Sequence, residues 1–351
     1  MRANLTRFVA SASELRANLA FAESVASLVN RNEGLEDESD NPLSAAAAIR
    51  SIQSTAPPTA TTHKFYYTGA VVGLYAALEQ YVEGLVQDAA RLMSNACDDY
   101  SQLPDKLKQT HRSLTTGVLL QIQEGRYHGS LSERDLVAGL HHAIGDYMPV
   151  RLNNGVFSHH TANFRWPVIR NMFERIGIPV GTVESAEALV KAMDRLFPDA
   201  AASTQIIDDL AHRRNEASHG WQSELLSFEL MQAYIEVVSA FCVALFEAVA
   251  SVVAGHFVKL KGVELGRPDK VYQKHIAGYY SLAHGVAVGD VIALVTGQGV
   301  HCGRALELQR DHESVESAEA GYPASVRLAL RLSPRHRLFV LPAEAQGLTS
   351  P

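Results

Sequence analysis

The sequence predicts a mainly α protein, a helical bundle with a small C-terminal all-β domain. Three observations carry that reading. Up to about residue 255 the apolar residues recur at intervals of three and four, the period of a half-buried helix. Beyond Gly255 the texture changes to short alternating runs (VKLKGVEL, DVIALVTG, RALELQ, SVRLALRL and RLFVLP) separated by Gly, Pro and charged turns. Apolar residues make up 47% of the chain and charged residues 20%, a balance that can bury a sizeable core. A length of 351 residues leaves room for two domains, drawn at 1–255 (with 31–62 partly linker) and 256–351.

Residues 2–30 place Leu5, Phe8, Val9, Leu15, Leu19, Val25 and Leu28 on an amphipathic helix. The acidic, turn-rich RNEGLEDESDNPLS and the following SIQSTAPPTATT have the composition of a linker. From Phe65 to about Leu92 the spacing is helical again and no proline interrupts it; Glu79 and Glu83, four apart, share a face. Segment 101–200, punctuated by Pro104, Gly129, Pro149, Pro167, Pro179 and Pro198, reads as short helices and loops. Within it SAEALVKAMDRLF is one clear helix with Ser185 as its expected N-cap. A helix over Ser203–His219 should stop at Gly220, and a long apolar helix should follow from Glu224 to Ala254.

Composition also excludes some classes. The formal net charge of -7 argues against nucleic-acid binding by whole-molecule charge, although a local cluster of arginines is enough for a basic site. The charge is uneven: residues 1–255 hold 20 Lys+Arg against 29 Asp+Glu, and residues 256–351 hold 11 against 9. Cys97, Cys242 and Cys302 are isolated, which fits a reducing, cytoplasmic setting and no disulfide framework. The N-terminus has no apolar core of a signal peptide. The apolar run Val237–Val258 contains Glu247 and His256, so a buried helix is expected and no membrane association. Neither His141-His142 nor His159-His160 has a Cys or carboxylate cluster beside it; they read as loop or surface histidines, with no metal and no cofactor expected.

At 100° per residue the helix before Gly220 sorts into two faces. Ile207, Leu210, Arg214 and Ala217 lie on one, while Asp208, His212, Asn215 and His219 form a stripe on another. Asn215 and His219 are one turn apart and can act on one ligand. Arg214 rises from the packed side, so a carboxylate is expected to hold it, with Glu79 or Glu83 the first candidates. His219 sits in the last turn, where the helix dipole favours the imidazolium. A histidine near neutrality beside an arginine and an amide meets the needs of transesterification at a phosphodiester: a proton removed, a phosphorane stabilised, a leaving group protonated.

The run Arg213-Arg214-Asn215-Glu216-Ala217-Ser218-His219-Gly220 closely resembles the RNxxxHG signature of HEPN domains. FYYTGAVVGLYAALEQYVEGLV is similar to the family's first core helix, and NFRWPVIRNMFERIGIPV to the mid-domain stretch of its MAE-like and RiboL-PSP-like bacterial branches. The resemblance covers roughly 1–255. It implies a bundle that homodimerises, a composite site at the dimer interface, and metal-independent cleavage of RNA as a toxin or phage-defence effector. By resemblance Arg214 would stabilise the phosphorane, Asn215 would orient the phosphate or His219, and His219 would move protons. Glu79 and Glu83, from the helix geometry above, are candidate supports, and Asp208 and His212 either extend the active stripe or, the favoured reading, belong to the solvated face. Arg213, Trp221, Arg327 and Arg331 are candidate RNA contacts, the last two because alternation on a strand would place them on one face. That face could equally be a solubilising face or a surface for a partner protein, and Trp221 could equally be a core or interface anchor. A cognate antitoxin or a defence-system protein is the implied partner. The alternatives are a non-catalytic HEPN scaffold that recruits a protein and a nucleotide-sensing module.

Overall fold

The computed structural model describes residues 1–349 apart from 31–44, 128, 146, 161, 201 and 221–223. Two long helices form the spine of the bundle. Helix α1 (Arg2–Asn30) buries Leu5, Phe8, Ala12, Leu19 and Ala22, a stripe at helical spacing. After α2 (Ala45–Thr55), Pro57 and Pro58 break the chain and α3 (Thr59–Asn95) begins. The 37 residues of α3 bury Leu74, Leu78, Leu85 and their i+3 and i+4 neighbours against α1. The stretch with linker composition is therefore helical from Ala45 onward, save the proline break; its earlier part, 31–44, lies outside the described residues. Alanine-rich sequence without strong punctuation supports a helix once a packed neighbour is present.

Shorter helices follow: α4 (Asp105–Gln123), α5 (Glu133–Ile144), α6 (Trp166–Glu174) and α7 (Glu187–Leu196). The N-cap of α7 is Ala186; Ser185 instead donates its hydroxyl to the Thr182 carbonyl at 3.3 Å. The motif helix is α8 (Gln205–Ser218), and α9 (Phe228–Lys261) runs through the middle of the molecule. Ser227 caps α9, accepting from the Leu230 N–H at 3.2 Å. By length and composition α9 could cross a membrane. Here its apolar side chains are instead buried against α1, α3, α7 and α8 on one side and the sheet on the other.

A curled antiparallel sheet follows: β1 (Val263–Gly266), β2 (Lys270–Tyr272), β3 (Ile276–Tyr279), β4 (Val286–Ala287), β5 (Val291–Thr296), β6 (Gly299–Arg310), β7 (Glu313–Val315), β8 (Ser317–Ala318), β9 (Ala324–Leu328) and β10 (Arg337–Leu341). The strand order is β1-β10-β5-β6-β9-β3-β2; β7 joins β6, and β4 and β8 pair separately. The segment VKLK, expected as part of a strand, is the last turn of α9, and the boundary drawn at 255/256 falls inside that helix.

One face of β5 and β10 (Val291, Ala293, Phe339 and Leu341) joins the helical core, and the other (Ile292, Leu294 and Leu338) faces a second core with Leu265, Leu308 and Val326. Burial on both faces is why β5 reads as a continuous apolar run instead of an alternating one. At the seam the Val300 N–H donates to the Ser251 hydroxyl of α9 at 3.0 Å. Gly299 has φ +145, and a Cβ there would stand 2.5 Å from Ser251 Oγ. Only glycine fits that approach.

His111 on α4 is fully buried, and its Nε2 accepts the Asn153 N–H at 3.0 Å. That role puts the proton on Nδ1, which has no partner among the described residues. Burial pushes the imidazole down to about 4 from an ordinary 6.5. Between those values the unfolded chain binds the proton and the folded chain does not, so stability falls as pH drops from 6.5 toward 4. The thermal midpoint should decline over this window and decline less in His111→Gln. Identical acid slopes for the two proteins would rule His111 out as a source.

Candidate functional site

The motif helix is fixed from beneath. Ile206, Ile207, Leu210 and Ala211 are buried, and Asp209 accepts from Arg213 Nε at 2.6 Å and from the Tyr234 hydroxyl of α9 at 2.9 Å. Arg213 also donates to the Tyr67 hydroxyl of α3 at 3.1 Å. Arg213, expected as an RNA contact, is thus committed to pinning α8 on α3 and α9. Asp208 is likewise turned inward, where its carboxylate accepts the Trp166 N–H at 2.8 Å, at the start of α6. The Trp166 indole donates to Glu184 at 2.6 Å.

Above this base lies the candidate site. The Arg214 guanidinium lies 4.8 Å from the centre of the Tyr75 ring and donates to Asn215 Oδ1 at 3.2 Å. Asn163 Nδ2 donates to the same oxygen at 3.2 Å. No carboxylate among the described residues pairs with Arg214 within 4.0 Å. The expected grip by Glu79 or Glu83 is replaced by stacking on Tyr75, one turn before Glu79 on α3. An arginine held by a ring keeps its remaining N–H donors free for an anion.

Glu83 is engaged elsewhere, with His160 Nε2 at 3.2 Å, while His160 Nδ1 contacts the Ala162 carbonyl at 2.8 Å. The ring of His160 packs 4.2 Å from that of Phe164, whose N–H donates to the Tyr75 hydroxyl at 2.8 Å. The chain just before His160 is anchored by Arg175, which donates to the carbonyls of Phe157 and His159. Gln87 of α3 adds a bond to Ser158 Oγ at 2.7 Å. The sequence predicts a loop or surface position for His160. It is a loop residue, but the fold lays that loop between α3 and α8. The trace of this in the sequence is Glu83 on the facing helix.

The electrostatics are coupled. Burial raises the Glu79 carboxyl, with Glu83 adding like-charge repulsion and His160 and Arg214 opposing it. The hydrogen bond with Glu83 raises the His160 imidazole above its ordinary value, outweighing burial. A raised imidazole contributes stability that is fully present below its ordinary value and is lost as pH rises through the folded value. The proton resonances of His160 should therefore titrate above 6.5, and Glu83→Gln should bring the midpoint down. An unchanged midpoint in Glu83→Gln would show that the pair does not control this histidine.

His219 closes α8 as its C-cap, its N–H bonded to the Asn215 carbonyl at 3.1 Å, and Gly220 follows with φ +73. The side chain is exposed and makes no hydrogen bond among the described residues. His212 is exposed too, 3.6 Å from Glu216. Trp221 lies outside the described residues. Arg327 is near Glu307 at 3.7 Å, on β9; Arg331 lies past the end of that strand, so alternation does not put the two on one face. Among the described residues no group of three His, Cys, Asp or Glu side chains is placed to hold a metal ion.

Arg214 thus lies on the Tyr75 ring beside Asn215 and Asn163, with His160 on the same loop as Asn163, and His219 is exposed at the end of the motif helix. The RiboL-PSP-HEPN family model matches residues 43–251, which span α2 to α9 and the whole of this cluster. No curated protein and no solved structure matches the chain.

Proposed function

We propose, from the premise that the chain belongs to the RiboL-PSP-HEPN family, that it is a cytoplasmic, metal-independent endoribonuclease of toxin or phage-defence type. HEPN domains are generally ribonucleases. The observation that carries the reading is the Arg214 guanidinium, stacked on Tyr75 beside Asn215 with no carboxylate partner among the described residues, with an exposed His219 one turn beyond Asn215. His219 takes the proton of the ribose 2′-OH as its oxygen attacks phosphorus. Arg214 stabilises the charge that develops on the phosphorane, and Asn215 orients the phosphate. The 5′-oxygen leaves with the proton that His219 took up, giving a 2′,3′-cyclic phosphate and a 5′-OH.

In a single copy the His219 side chain is exposed and makes no hydrogen bond among the described residues. The exposed histidine fits a homodimer in which the motif helices of two copies meet and build two sites, each from Arg214 and Asn215 of one copy and His219 of the other. Purified protein should cut RNA in the presence of EDTA and leave cyclic-phosphate ends; cleavage abolished by EDTA, or 5′-phosphate products, would sink the mechanism. Mixing Arg214→Ala with His219→Ala should restore about a quarter of wild-type activity, because half of the dimers are mixed and each holds one intact shared site. Two inactive variants that stay inactive when exchanged would place the whole site in one copy. A cognate antitoxin or defence-system protein would restrain such an enzyme, and covering His219 is the simplest way to do so.

A further inference from the structure

The sheet carries a second open site, far from the motif helix in sequence. A cleft of about 490 Å³ lies over β2, β3, β9 and β6, within the range of small-ligand pockets. Register fixes its floor. Lys270 pairs with Gly278, Gly278 with Ser325 and Ser325 with Gln309, so these four side-chain positions form one row on the same face. The neighbouring row is Tyr272, Ile276, Arg327 and Glu307.

Aromatic groups stand on both sides of that floor. Tyr272 is 50% exposed and Tyr280 67%. The ring of Tyr272 leans across Gly278, where a Cβ would meet it at 3.0 Å. Tyr280 is held by its N–H bonding Asp269 at 2.7 Å, and Lys270 Nζ lies 5.6 Å from its ring centre. At the rim Tyr322, 44% exposed, carries the Arg310 guanidinium 4.3 Å above its ring. Of the nearby carboxylates, Asp269 accepts the Tyr280 N–H, Glu307 is engaged with Gln309 and Arg327, and Asp311 lies 3.8 Å from Arg310.

Two tight turns border the cleft without a glycine. Gln273 and Lys274 have φ 50 and 62, and Asp311 and His312 have φ 52 and 69. Such turns usually take Asn-Gly, since side chains there are strained. Asp311 and His312 line the cleft, so the strain holds side chains, not bare backbone, at its edge.

Exposed flat rings with cations beside them, on a glycine-floored sheet, are what unpaired nucleobases stack on. We propose that this face binds single-stranded RNA, with bases stacked on Tyr272 and Tyr280 and the backbone met by Lys270. The inference rests on the nuclease reading for its choice of ligand and names the substrate as unpaired RNA. The sheet thereby acquires a role beside α8, as the surface that selects and holds what the helical part cuts.

The test uses the full chain carrying His219→Ala and a fluorescein-labelled 12-nucleotide single-stranded RNA, read by anisotropy. Tyr272→Ala and Tyr280→Ala should each weaken binding about ten-fold. Tyr272→Phe and Tyr280→Phe should keep the affinity, since stacking needs the ring and not the hydroxyl. Both positions are exposed, so folding is checked by an unchanged thermal midpoint. Unchanged affinity in folded alanine variants, a loss of affinity with phenylalanine equal to that with alanine, or equal binding of a 12-base-pair duplex overturns the proposal. The two readings fail separately. If wild type cuts RNA and the alanine variants retain its KM, the sheet does not bind the substrate and the nuclease stands. If wild type cuts nothing while the variants lose RNA affinity, the nuclease reading falls and this site stands.

Discussion

Alanine at His219 is expected to lower the RNA cleavage rate by about two to four orders of magnitude, the usual range for a general acid or base. Its side chain is exposed and unbonded among the described residues, so the thermal midpoint should hardly move. Arg214→Ala should cost about two to three orders, the loss of one phosphorane-stabilising group. It should also lose about 1 kcal/mol of stability with the stacking on Tyr75. Lysine at 214 should not restore the rate, because a point charge cannot reproduce a planar fork lying on a ring. The measurement is single-turnover cleavage at saturating enzyme, with folding confirmed by circular dichroism. Folded His219→Ala and Arg214→Ala proteins that cut as fast as wild type would remove both residues from the chemistry.

The largest effect on stability is expected from Phe241→Ala in α9, about 3–5 kcal/mol. Phe241 is fully buried and meets the edge of Trp166 at 5.7 Å and 90°. Removing it opens a cavity beneath the start of α6, where the Trp166 N–H bonds Asp208 of the motif helix. Activity should therefore fall further than the folded fraction does, because the loop that carries His160 and Asn163 ends at this tryptophan. Urea unfolding of the variant should give a lower midpoint with an unchanged slope. A midpoint within experimental error of wild type would mean that the neighbours collapse into the space.

Much of this arrangement is legible in the sequence where burial is one-sided and local. The spacing of Leu5, Phe8 and Leu19 and of Leu74, Leu78 and Leu85 locates α1 and α3 because each buries one continuous stripe. Gly220, with φ +73, ends the motif helix where its residue type says it should. What local pattern does not reveal depends on partners distant in the chain. Helix position points Arg214 toward a carboxylate, yet Tyr75 takes that place, and nothing in local spacing distinguishes a ring from an acid. Arg213 looks as available as Arg214 in sequence, but Tyr67 and Asp209 hold it. His160 belongs to a loop whose position is set by Arg175 and Gln87, contacts between segments that no periodicity encodes. Residues 45–62 look like linker because alanine and threonine without a stripe carry no period until packing selects a helix.

The seam along α9 bears on heredity. Ser251 accepts a backbone hydrogen from β6, Gly255 lies 3.8 Å (as a virtual Cβ) from Val300, and Val291, Ala293, Phe339 and Leu341 complete the helical core. The C-terminal sheet is consequently no cassette that recombination can swap between genes at a linker. A substitute would have to offer the same strip of small and apolar groups, with a glycine where Ser251 intrudes. A gene shortened at the end of α9 would encode a greasy ridge in place of an inner wall. Mutations on either side of this seam are therefore expected to be inherited in matched pairs.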